Sequence, residues 1–511
     1  MRESSMLVAL VAVTTLPTAA QTLPLEIETR THAIDSGYLH NEQNRARVVY
    51  ATTVEEPGAA WFRLFLRDTN LPAGSRLRLT SELDGAVQHF DGRSLAEYGF
   101  GSAYFNGDRV KIELVAAPHT RANRLQIVGT ELGRRDPPAG MQPDSICGPT
   151  DDRVLSSDPR IGRAVSASSA CTWMLLENEF TVATAGHCTD PSGPTPWIIG
   201  FNIPLSNAEG TPIHPPPDDQ YAVDLSSVHR LEGGEGADWA VMATVRNSNH
   251  GQYAGERQGA WFERGAVPAQ VSGVTIRITG NGSVRPPIPK TWNAVPKTHT
   301  GPRVTATVNH TIAYQADTTG GNSGSPVIHE ATGKMIGIHT NGGCSATEGN
   351  VGTRIDRPDL ANAIDTVLAS RIVGTMTEYG SGCAGTAGVP ELSMLGNPDI
   401  GYVVRVQLDK LPVGQAGMLG VGISDTIWGA VPLPLDLDPL RLEGCTLHAS
   451  LELTLGITTA SGSTTIFVPL ANDPSLIGGQ VFFQAFVLDP GAPGRTVGAS
   501  VTNAGALSIG G

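Results

Sequence analysis

The run Gly320-Gly321-Asn322-Ser323-Gly324-Ser325-Pro326-Val327-Ile328 places a serine in a glycine-rich turn directly before an apolar strand. Glycines at 321 and 324 permit backbone angles and close approaches that a side chain would block. A tight turn of this kind can aim the backbone N–H groups of Gly321 and Ser323 at one point, where they would stabilise a developing oxyanion. We therefore predict that Ser323 is a nucleophile and that Gly321 and Ser323 form its oxyanion hole.

A serine hydroxyl is a weak nucleophile, so it needs a base that is itself oriented by a buried carboxylate. His187 supplies a candidate base in Thr184-Ala185-Gly186-His187-Cys188, which follows the apolar run 180–183. Asp238 and Asp224 compete for the acid role. We favour Asp238 because the following Trp239-Ala240-Val241-Met242 would bury it, whereas Asp224 lies in a mixed polar stretch.

The chain order of these residues excludes another class of serine hydrolase. The α/β-hydrolases run serine, acid, histidine around Gly-x-Ser-x-Gly. Here the order is His187, Asp238, Ser323, and position 325 is serine rather than glycine. The lipase or esterase interpretation therefore fails on both the motif and the order.

Composition favours an all-β architecture in several domains. The 511 residues suggest roughly three domains at about 150 residues each. Only 16% of residues are charged, while 60 glycines and 36 prolines supply many turns. The net charge of −14, without a basic stripe, argues against nucleic acid as a partner.

The N-terminus predicts export. Residues 1–20 resemble a signal peptide, with Arg2, a short apolar stretch from 6 to 16, and small residues at 18–20. No later run reaches about 18 apolar residues, so we expect a secreted, extracellular protein without a membrane anchor. The six cysteines fit an oxidising destination.

Alternating short strands flank a central segment that carries the chemistry. Residues 21–135 predict an N-terminal β-sandwich and candidate propeptide, with strands near 60–66, 75–80, 109–115 and 124–128. A Pro/Gly-rich linker at 133–140 leads into a central domain, 136–376. A second break at 379–382 opens a C-terminal β-sandwich module, 377–511, with strands near 402–408 and 481–487.

The motifs around His187 and Ser323 resemble those of chymotrypsin-like serine endopeptidases of bacteria. Residues 318–327, followed by Ile336-Gly337-Ile338-His339, are similar to glutamyl endopeptidases, and the cysteine pattern is similar to lysyl endopeptidases. The resemblance covers roughly 145–372. It implies a chymotrypsin-like double β-barrel, peptide-bond hydrolysis through an acyl-enzyme, protein or peptide substrates, no cofactor or metal, and a monomer.

The same resemblance implies three disulfides. Cys171–Cys188 would pin the histidine loop, and Cys147–Cys344 would tie the start of the domain to the loop after the nucleophile. Cys383–Cys445 is then left within the C-terminal module. Fifteen pairings of six cysteines exist, so this assignment comes from the resemblance. A zinc site is disfavoured because Cys-x-x-Cys and His-x-x-x-His spacings are missing.

In glutamyl endopeptidases, a histidine at the position of His339 and a hydroxyl residue at that of Thr318 bind the substrate carboxylate. The resemblance therefore implies a pocket of Thr318, His339, Thr340 and Gly342, and cleavage after glutamate. A purely structural His339 is the competing interpretation. Lysine specificity stays open because Glu348 is nearby. The stretch 340–343 carries one residue more than the glutamyl pattern.

Asn322 bears on activation. In pancreatic-type proteases an aspartate before the serine pairs with a freed N-terminal amine, and a neutral Asn322 cannot form this ion pair. We expect no such switch. Removal of the N-terminal module, for example at Arg134-Arg135, would either unmask the active-site cleft of a zymogen or take place after folding.

The alternative function is that of a protein with a protease fold and no catalytic activity, which acts in binding or adhesion.

Overall fold

The computed structural model describes residues 20–134, 144–166, 169–189, 196–306, 308–345, 348–492 and 497–511. The chain divides into two compact units, residues 1–368 and 369–511. Except for Ala20, the predicted signal peptide lies outside the described residues, as do Arg135 of the dibasic pair and most of the predicted linker.

The N-terminal module consists of two four-stranded antiparallel sheets with a shared apolar core, ordered β2-β9-β4-β7 and β3-β8-β5-β6. Inward residues alternate along strands such as β5, as expected for a half-buried strand. The strands predicted near 60–66, 75–80 and 109–115 are confirmed. The strands are β2 (Ile27–Asp35), β3 (Arg47–Glu55), β4 (Ala59–Leu66), β5 (Arg76–Ser81), β6 (Val87–Phe90), β7 (Phe105–Asn106), β8 (Arg109–Ala116) and β9 (Gln126–Arg134), with a short helix α1 (Gly92–Glu97).

Two antiparallel barrel-like sheets form the central part of the chain. The first runs β16-β15-β12-β13-β14-β18-β17; in the second, β20-β19-β23-β24-β25-β21 closes on itself because β20 also pairs with β21. The strands are β10 (Asp144–Ser145), β11 (Val154–Leu155), β12 (Ile161–Ser166), β13 (Ser169–Leu175), β14 (Thr181–Thr184), β15 (Ile198–Gly200), β16 (Gln220–Ala222), β17 (His229–Glu232), β18 (Asp238–Ala243), β19 (Thr275–Gly280), β20 (Lys297–Val304), β21 (Thr311–Tyr314), β22 (Thr318–Thr319), β23 (Pro326–His329), β24 (Lys334–Asn341) and β25 (Asn350–Arg354), with helices α2 (Ala254–Gln258) and α3 (Pro358–Leu368). The predicted fold class, mainly β with a double barrel, is confirmed.

The first strand of the chain corrects the predicted start of the N-terminal module. Strand β1 (Leu23–Pro24) pairs antiparallel with β13 of the first barrel. The sheets of the module begin only at Ile27. Residues 20–24 therefore lie against the central domain, because their backbone hydrogen bonds are made to a barrel edge instead of the sandwich.

The N-terminal module and the first barrel share one apolar core. Buried Phe62 and Leu77 of the module belong to the same cluster as Ile198 and Ala222 of the barrel. Hydrogen bonds link the two parts as well: the Gln220 side chain accepts from the N–H of Tyr104 at 2.8 Å and donates to its carbonyl oxygen at 2.8 Å. This core buries apolar surface of both parts from water.

The second unit, residues 369–511, contains a five-stranded sheet ordered β26-β37-β36-β29-β34 and a three-stranded sheet ordered β27-β28-β35. Strand β26 (Thr375–Tyr379) pairs with β37, so this unit begins before the predicted break at 379–382. The prediction that the C-terminal module begins at that break is wrong. The remaining strands are β27 (Glu391–Gly396), β28 (Val403–Asp409), β29 (Ala416–Gly422), β30 (Ile427–Trp428), β31 (Val431–Pro432), β32 (Leu435–Asp436), β33 (Thr446–Leu447), β34 (Leu453–Thr458), β35 (Thr464–Pro469), β36 (Gln480–Leu488) and β37 (Ala499–Ser508).

Three disulfides join Cys147 to Cys344, Cys171 to Cys188, and Cys383 to Cys445. These are the pairs that the resemblance implied. Within the described ranges, no helix is long and apolar enough to cross a membrane.

Candidate active site

His187, Asp238 and Ser323 form one hydrogen-bonded chain between the two barrels. His187 Nδ1 lies 2.5 Å from Asp238 Oδ2, and His187 Nε2 lies 2.7 Å from Ser323 Oγ. The backbone N–H of His187 also donates to Asp238 Oδ1 at 3.0 Å, which fixes the second carboxylate oxygen. In this geometry the ring can take the proton of Ser323 while the carboxylate orients it.

Adjacent strands of the first barrel bring His187 and Asp238 together. Strand β14 pairs with β18 so that Thr184 lies opposite Ala240, and the turn Gly186–Cys188 follows β14. A Cβ on Gly186 would lie 2.0 Å from the carbonyl oxygen of Leu231, so only glycine allows this approach. Asp224 instead accepts from the N–H of Ser226 as the cap of a separate turn.

The candidate nucleophile turn, residues 320–326, depends on two glycines in the left-handed region. Gly321 has φ of 101° and Gly324 has φ of 87°. A Cβ on Gly324 would come within 2.1 Å of the Thr172 carbonyl oxygen. Thr172 also holds the turn through its N–H to the Ser323 carbonyl oxygen at 2.9 Å and its hydroxyl to the Gly321 carbonyl oxygen at 2.7 Å. The turn is thus fixed from the first barrel.

The predicted oxyanion hole holds a carbonyl oxygen of the same chain. The N–H groups of Gly321 and Ser323 donate to the carbonyl oxygen of Gln21 at 2.5 and 3.1 Å. Both donors therefore converge on one point beside Ser323 Oγ, as stabilisation of an oxyanion requires.

A buried ion pair supports Asn322, the residue before Ser323. Asn322 Oδ1 accepts from the Thr319 N–H at 3.1 Å and from Arg153 Nη1 at 3.4 Å. Arg153 is paired with Asp151 at 2.6 Å, and both side chains are almost fully buried. Burial alone would raise the pKa of Asp151, but the hydrogen bonds and charge of Arg153 hold that pKa below its usual value. Side-chain hydrogen bonds and the buried ion pair thus support the turn.

His339 is buried and contacts the side chain of Gln21 near Ser323. Its Nδ1 lies 2.6 Å from the Tyr314 hydroxyl and its Nε2 lies 2.6 Å from Gln21 Oε1. Burial lowers the pKa of His339 to about 3, and the charge of His187 acts in the same direction. Burial also raises the pKa of Tyr314 well above its usual value. The Tyr314 O–H therefore donates to a neutral ring, whose Nε2–H donates to Gln21.

The other predicted pocket residues lie around the same side chain. A Cβ on Gly342 would lie 2.5 Å from Gln21 Nε2, so glycine leaves that space to the bound side chain. The carbonyl oxygen of Thr340 lies 3.1 Å from Ser323 Oγ. The register of β24 shifts at Thr340, between His339 and Asn341, and this β-bulge accommodates the additional residue noted in the sequence.

Thr318 contributes a hydroxyl that is buried and has no hydrogen-bond partner within the described part of the chain. It lies on β22, which pairs with the short strand β10 beside the Cys147–Cys344 disulfide. Glu348, the residue that kept lysine specificity open, is exposed, whereas His339 and Thr318 are fully buried.

Sequence reasoning missed Gln21, Tyr314 and Arg153. Gln21 directly follows the small residues of the predicted signal peptide, and its contact with Ser323 joins positions 302 apart. Tyr314 ends a short apolar strand, where alternation predicts burial but not its partner. Arg153 follows two aspartates in a polar stretch, so nothing local indicated that it would be buried.

Two groups of ligand-type side chains lie close together in the described ranges. Cys171 and Cys188, beside His187, are bonded to each other and cannot bind a metal as thiolates. In the second group, Asp317 accepts the Cys147 N–H at 2.7 Å and His299 pairs with the exposed Asp152 at 3.1 Å. The disulfide and these hydrogen bonds and ion pairs give both groups a structural role, and we assign no metal to either.

Comparisons with known proteins bear on the central part of the chain. The solved structures that match include a thermostable serine protease, AL20, from an extremophilic microorganism; it is 16% identical, with 42% of this chain and 97% of that chain covered and a TM-score of 0.32. No curated protein matches the chain. The Trypsin family model matches residues 156–364. This segment contains both barrels with His187, Asp238 and Ser323, and it is a domain of the trypsin (chymotrypsin-like) family of serine proteases.

Proposed function

We propose that the protein is a secreted serine endopeptidase that hydrolyses peptide bonds through His187, Asp238 and Ser323. One observation carries the proposal: Ser323 Oγ lies 2.7 Å from His187 Nε2 and beside two N–H groups that already hold a peptide carbonyl oxygen. The three disulfides support an extracellular location.

The geometry supports a two-step reaction. Ser323 Oγ attacks the substrate carbonyl carbon while His187 Nε2 takes its proton, and the oxyanion accepts from the N–H groups of Gly321 and Ser323. Collapse breaks the peptide bond as His187 gives the proton to the leaving nitrogen. Water, activated by His187, then hydrolyses the acyl-enzyme. Asp238 accepts a hydrogen bond from His187 Nδ1–H throughout, which keeps His187 Nε2 available as the base.

The first test is covalent labelling combined with peptide hydrolysis. A fluorophosphonate reagent should modify the wild-type chain at Ser323, and a casein-derived peptide mixture should be cleaved. Ser323→Ala should lose the label, and its hydrolysis should fall by about 10⁶-fold in kcat. Ser325→Ala, two positions away in the same turn, is the matched control and should keep the label. A wild-type chain that neither labels nor cleaves would support a silent protease-fold protein in binding or adhesion.

The pocket supports a preference for glutamate at the residue before the cleaved bond. Glutamine and glutamate have the same shape, and the Gln21 side chain already fills the pocket with Oε1 against His339 Nε2. A glutamate would present a second oxygen acceptor in place of the amide nitrogen. The buried Thr318 hydroxyl, which has no hydrogen-bond partner among the described residues, is the donor that we assign to it. Hydrogen bonds to a charged group contribute about 1.5–3 kcal/mol.

The specificity proposal is tested with peptides that differ only at this residue: glutamate, glutamine, lysine and leucine. We expect the highest kcat/KM for glutamate. Thr318→Val should lower kcat/KM for the glutamate peptide by about 10- to 100-fold, the equivalent of one such hydrogen bond. It should change the ratio of glutamate to glutamine, while labelling of Ser323 continues. Equal rates for the four peptides would refute the glutamate preference and leave the peptidase activity standing.

A further inference from the structure

Residues 20–24 cross the candidate active site as a bound peptide would. Ala20 forms an antiparallel bridge with Asn341 at the end of β24 in the second barrel. On the other side of Ser323, β1 pairs antiparallel with β13 in the first barrel. The segment is therefore extended and held by backbone pairing on both sides of the nucleophile, the mode in which a sheet edge accepts an added strand.

Gln21 lies at the reacting position of this segment. Its carbonyl oxygen accepts from the N–H groups of Gly321 and Ser323, and its backbone nitrogen lies 3.0 Å from Ser323 Oγ. Its side chain reaches His339, and the whole residue is buried. The side chain, the carbonyl oxygen and the flanking backbone thus occupy three separate recognition elements at once. A chance crossing of the cleft would not satisfy all three.

We propose that the peptide bond between Gln21 and Thr22 is a self-cleavage site that is cut while Ala20 is still attached to Gln21, an inference that rests on the proposed function. Ser323 Oγ bonds to the Gln21 carbonyl carbon and its proton moves to His187 Nε2. The carbon–nitrogen bond to Thr22 then breaks, and His187 delivers the proton to the Thr22 nitrogen. Water hydrolyses the resulting Gln21 ester, which restores the Ser323 hydroxyl and leaves a chain that begins at Thr22.

The cleavage is intramolecular. Thr22 lies only a few residues before β2, and the module that contains β2 shares an apolar core with the first barrel. The segment is thus delivered to its own Ser323 without a second molecule. Such held geometries reach effective concentrations of about 10⁵–10⁸ M, so the rate should not depend on protein concentration.

Cleavage clears the specificity pocket and the oxyanion hole together, because Gln21 fills both. Before the cut, an external peptide cannot place its side chain against His339 or its carbonyl oxygen at Gly321. The cut therefore precedes activity on other substrates, and full activity needs no loss of the N-terminal module.

The test uses the full chain in four forms: wild type, Ser323→Ala, Gln21→Arg and Gln43→Arg. Terminal sequencing and intact mass are measured after secretion, at two protein concentrations ten-fold apart. Gln21→Arg places a cation against the neutral His339 ring and should slow the cut by about 100-fold. Gln43 is exposed, so Gln43→Arg is the matched control and should be cut as wild type.

The expected result is a wild-type chain beginning at Thr22 and a Ser323→Ala chain that still contains Gln21. Wild-type cleavage should proceed at the same rate at both concentrations. The proposal is overturned if both chains share one N-terminus, or if Gln21→Arg is cut as fast as wild type. Fluorophosphonate labelling of the same samples separates the two claims: a labelled but uncut wild type refutes self-cleavage alone, whereas an unlabelled, inactive one refutes the proposed function.

Discussion

The tautomer of His339 is set by a single phenol. Because the Tyr314 hydroxyl donates to Nδ1, the ring must carry its hydrogen on Nε2, where it faces the pocket. A lone buried histidine could adopt either tautomer, and the other one would present a lone pair to a carboxylate. We therefore propose that Tyr314 is a positioning residue for the candidate specificity pocket.

Tyr314→Phe should weaken recognition of glutamate while leaving the nucleophile intact. Loss of a neutral hydrogen bond costs about 0.5–1.5 kcal/mol, so kcat/KM for a glutamate peptide should fall by about 3- to 10-fold. The measurement pairs glutamate and leucine peptides of otherwise identical sequence. A purely structural role would lower both values alike, whereas positioning of His339 changes their ratio. The rate of fluorophosphonate labelling is the internal control.

Buried histidines should also make the fold sensitive to mild acid. Burial lowers the pKa of both His339 and His214 below the usual value of 6.5. The unfolded chain then binds more protons below pH 6.5, so the free energy of unfolding falls as pH falls, by about 1 kcal/mol per pH unit for each histidine. Carboxylates with a lowered pKa, such as Glu56 and Asp151, also make the free energy of unfolding fall as the pH falls, but only below about pH 4.5.

Urea unfolding at pH 7, 6 and 5 checks this expectation. His214→Phe keeps an aromatic ring between Trp61 and Tyr104 but removes the titrating group. The pH slope of this variant should be smaller by about 1 kcal/mol per unit. Equal slopes for wild type and His214→Phe would contradict the assignment.

At the scale of elements, the nucleophile turn is braced by the segment that precedes β11. Arg153 bridges Asp151 to the Thr319 hydroxyl and to Asn322, all within the core. Removing one partner of a buried ion pair costs about 3–5 kcal/mol because the other charge is left unpaired. Arg153→Met should therefore destabilise the protein by about that amount, measured by urea unfolding.

The double variant Asp151→Asn with Arg153→Met separates stability from function. It leaves no unpaired charge, so we expect most of the unfolding free energy to return. The turn would still lack the Arg153 donors, and kcat should stay below that of wild type when the active fraction is counted by fluorophosphonate labelling. Recovery of both stability and kcat would show that the pair has no influence on the turn.

Local sequence patterns predicted individual strands, whereas the features that depend on long-range contacts could not be predicted. Apolar and polar residues alternate within a few positions, so the strand at 109–116 could be predicted from local sequence. The two-barrel fold was implied only by the resemblance of the motifs around His187 and Ser323 to a known family. The bulge at Thr340 was visible only as one additional residue. Occupation of the cleft by Gln21 could not be predicted, because it depends on backbone pairing between segments about 150 and 320 positions apart.

At the scale of the whole molecule, the contacts of the N-terminal module argue against its release as a propeptide. The His214 ring stacks on Tyr104 at 4.5 Å and meets the edge of Trp61 at 4.8 Å. Asn106 exchanges two hydrogen bonds with the His214 backbone, at 2.9 Å each. A module that shares its core with the first barrel would expose that apolar surface on leaving, at a cost of about 25 cal/mol per Å².

Cutting the chain between the module and the central domain should therefore leave the two pieces associated. A recognition sequence for a specific protease, inserted at 138–139, allows the cut to be made after folding. We expect both pieces to elute together in gel filtration, with peptidase activity and Tm close to those of the uncut protein. Gln220→Leu removes the paired hydrogen bonds with Tyr104 and should promote separation after the cut, whereas the exposed Gln43→Leu should not. Separation of the cut wild-type pieces, with activity retained by the central domain, would instead establish the module as a propeptide that is released.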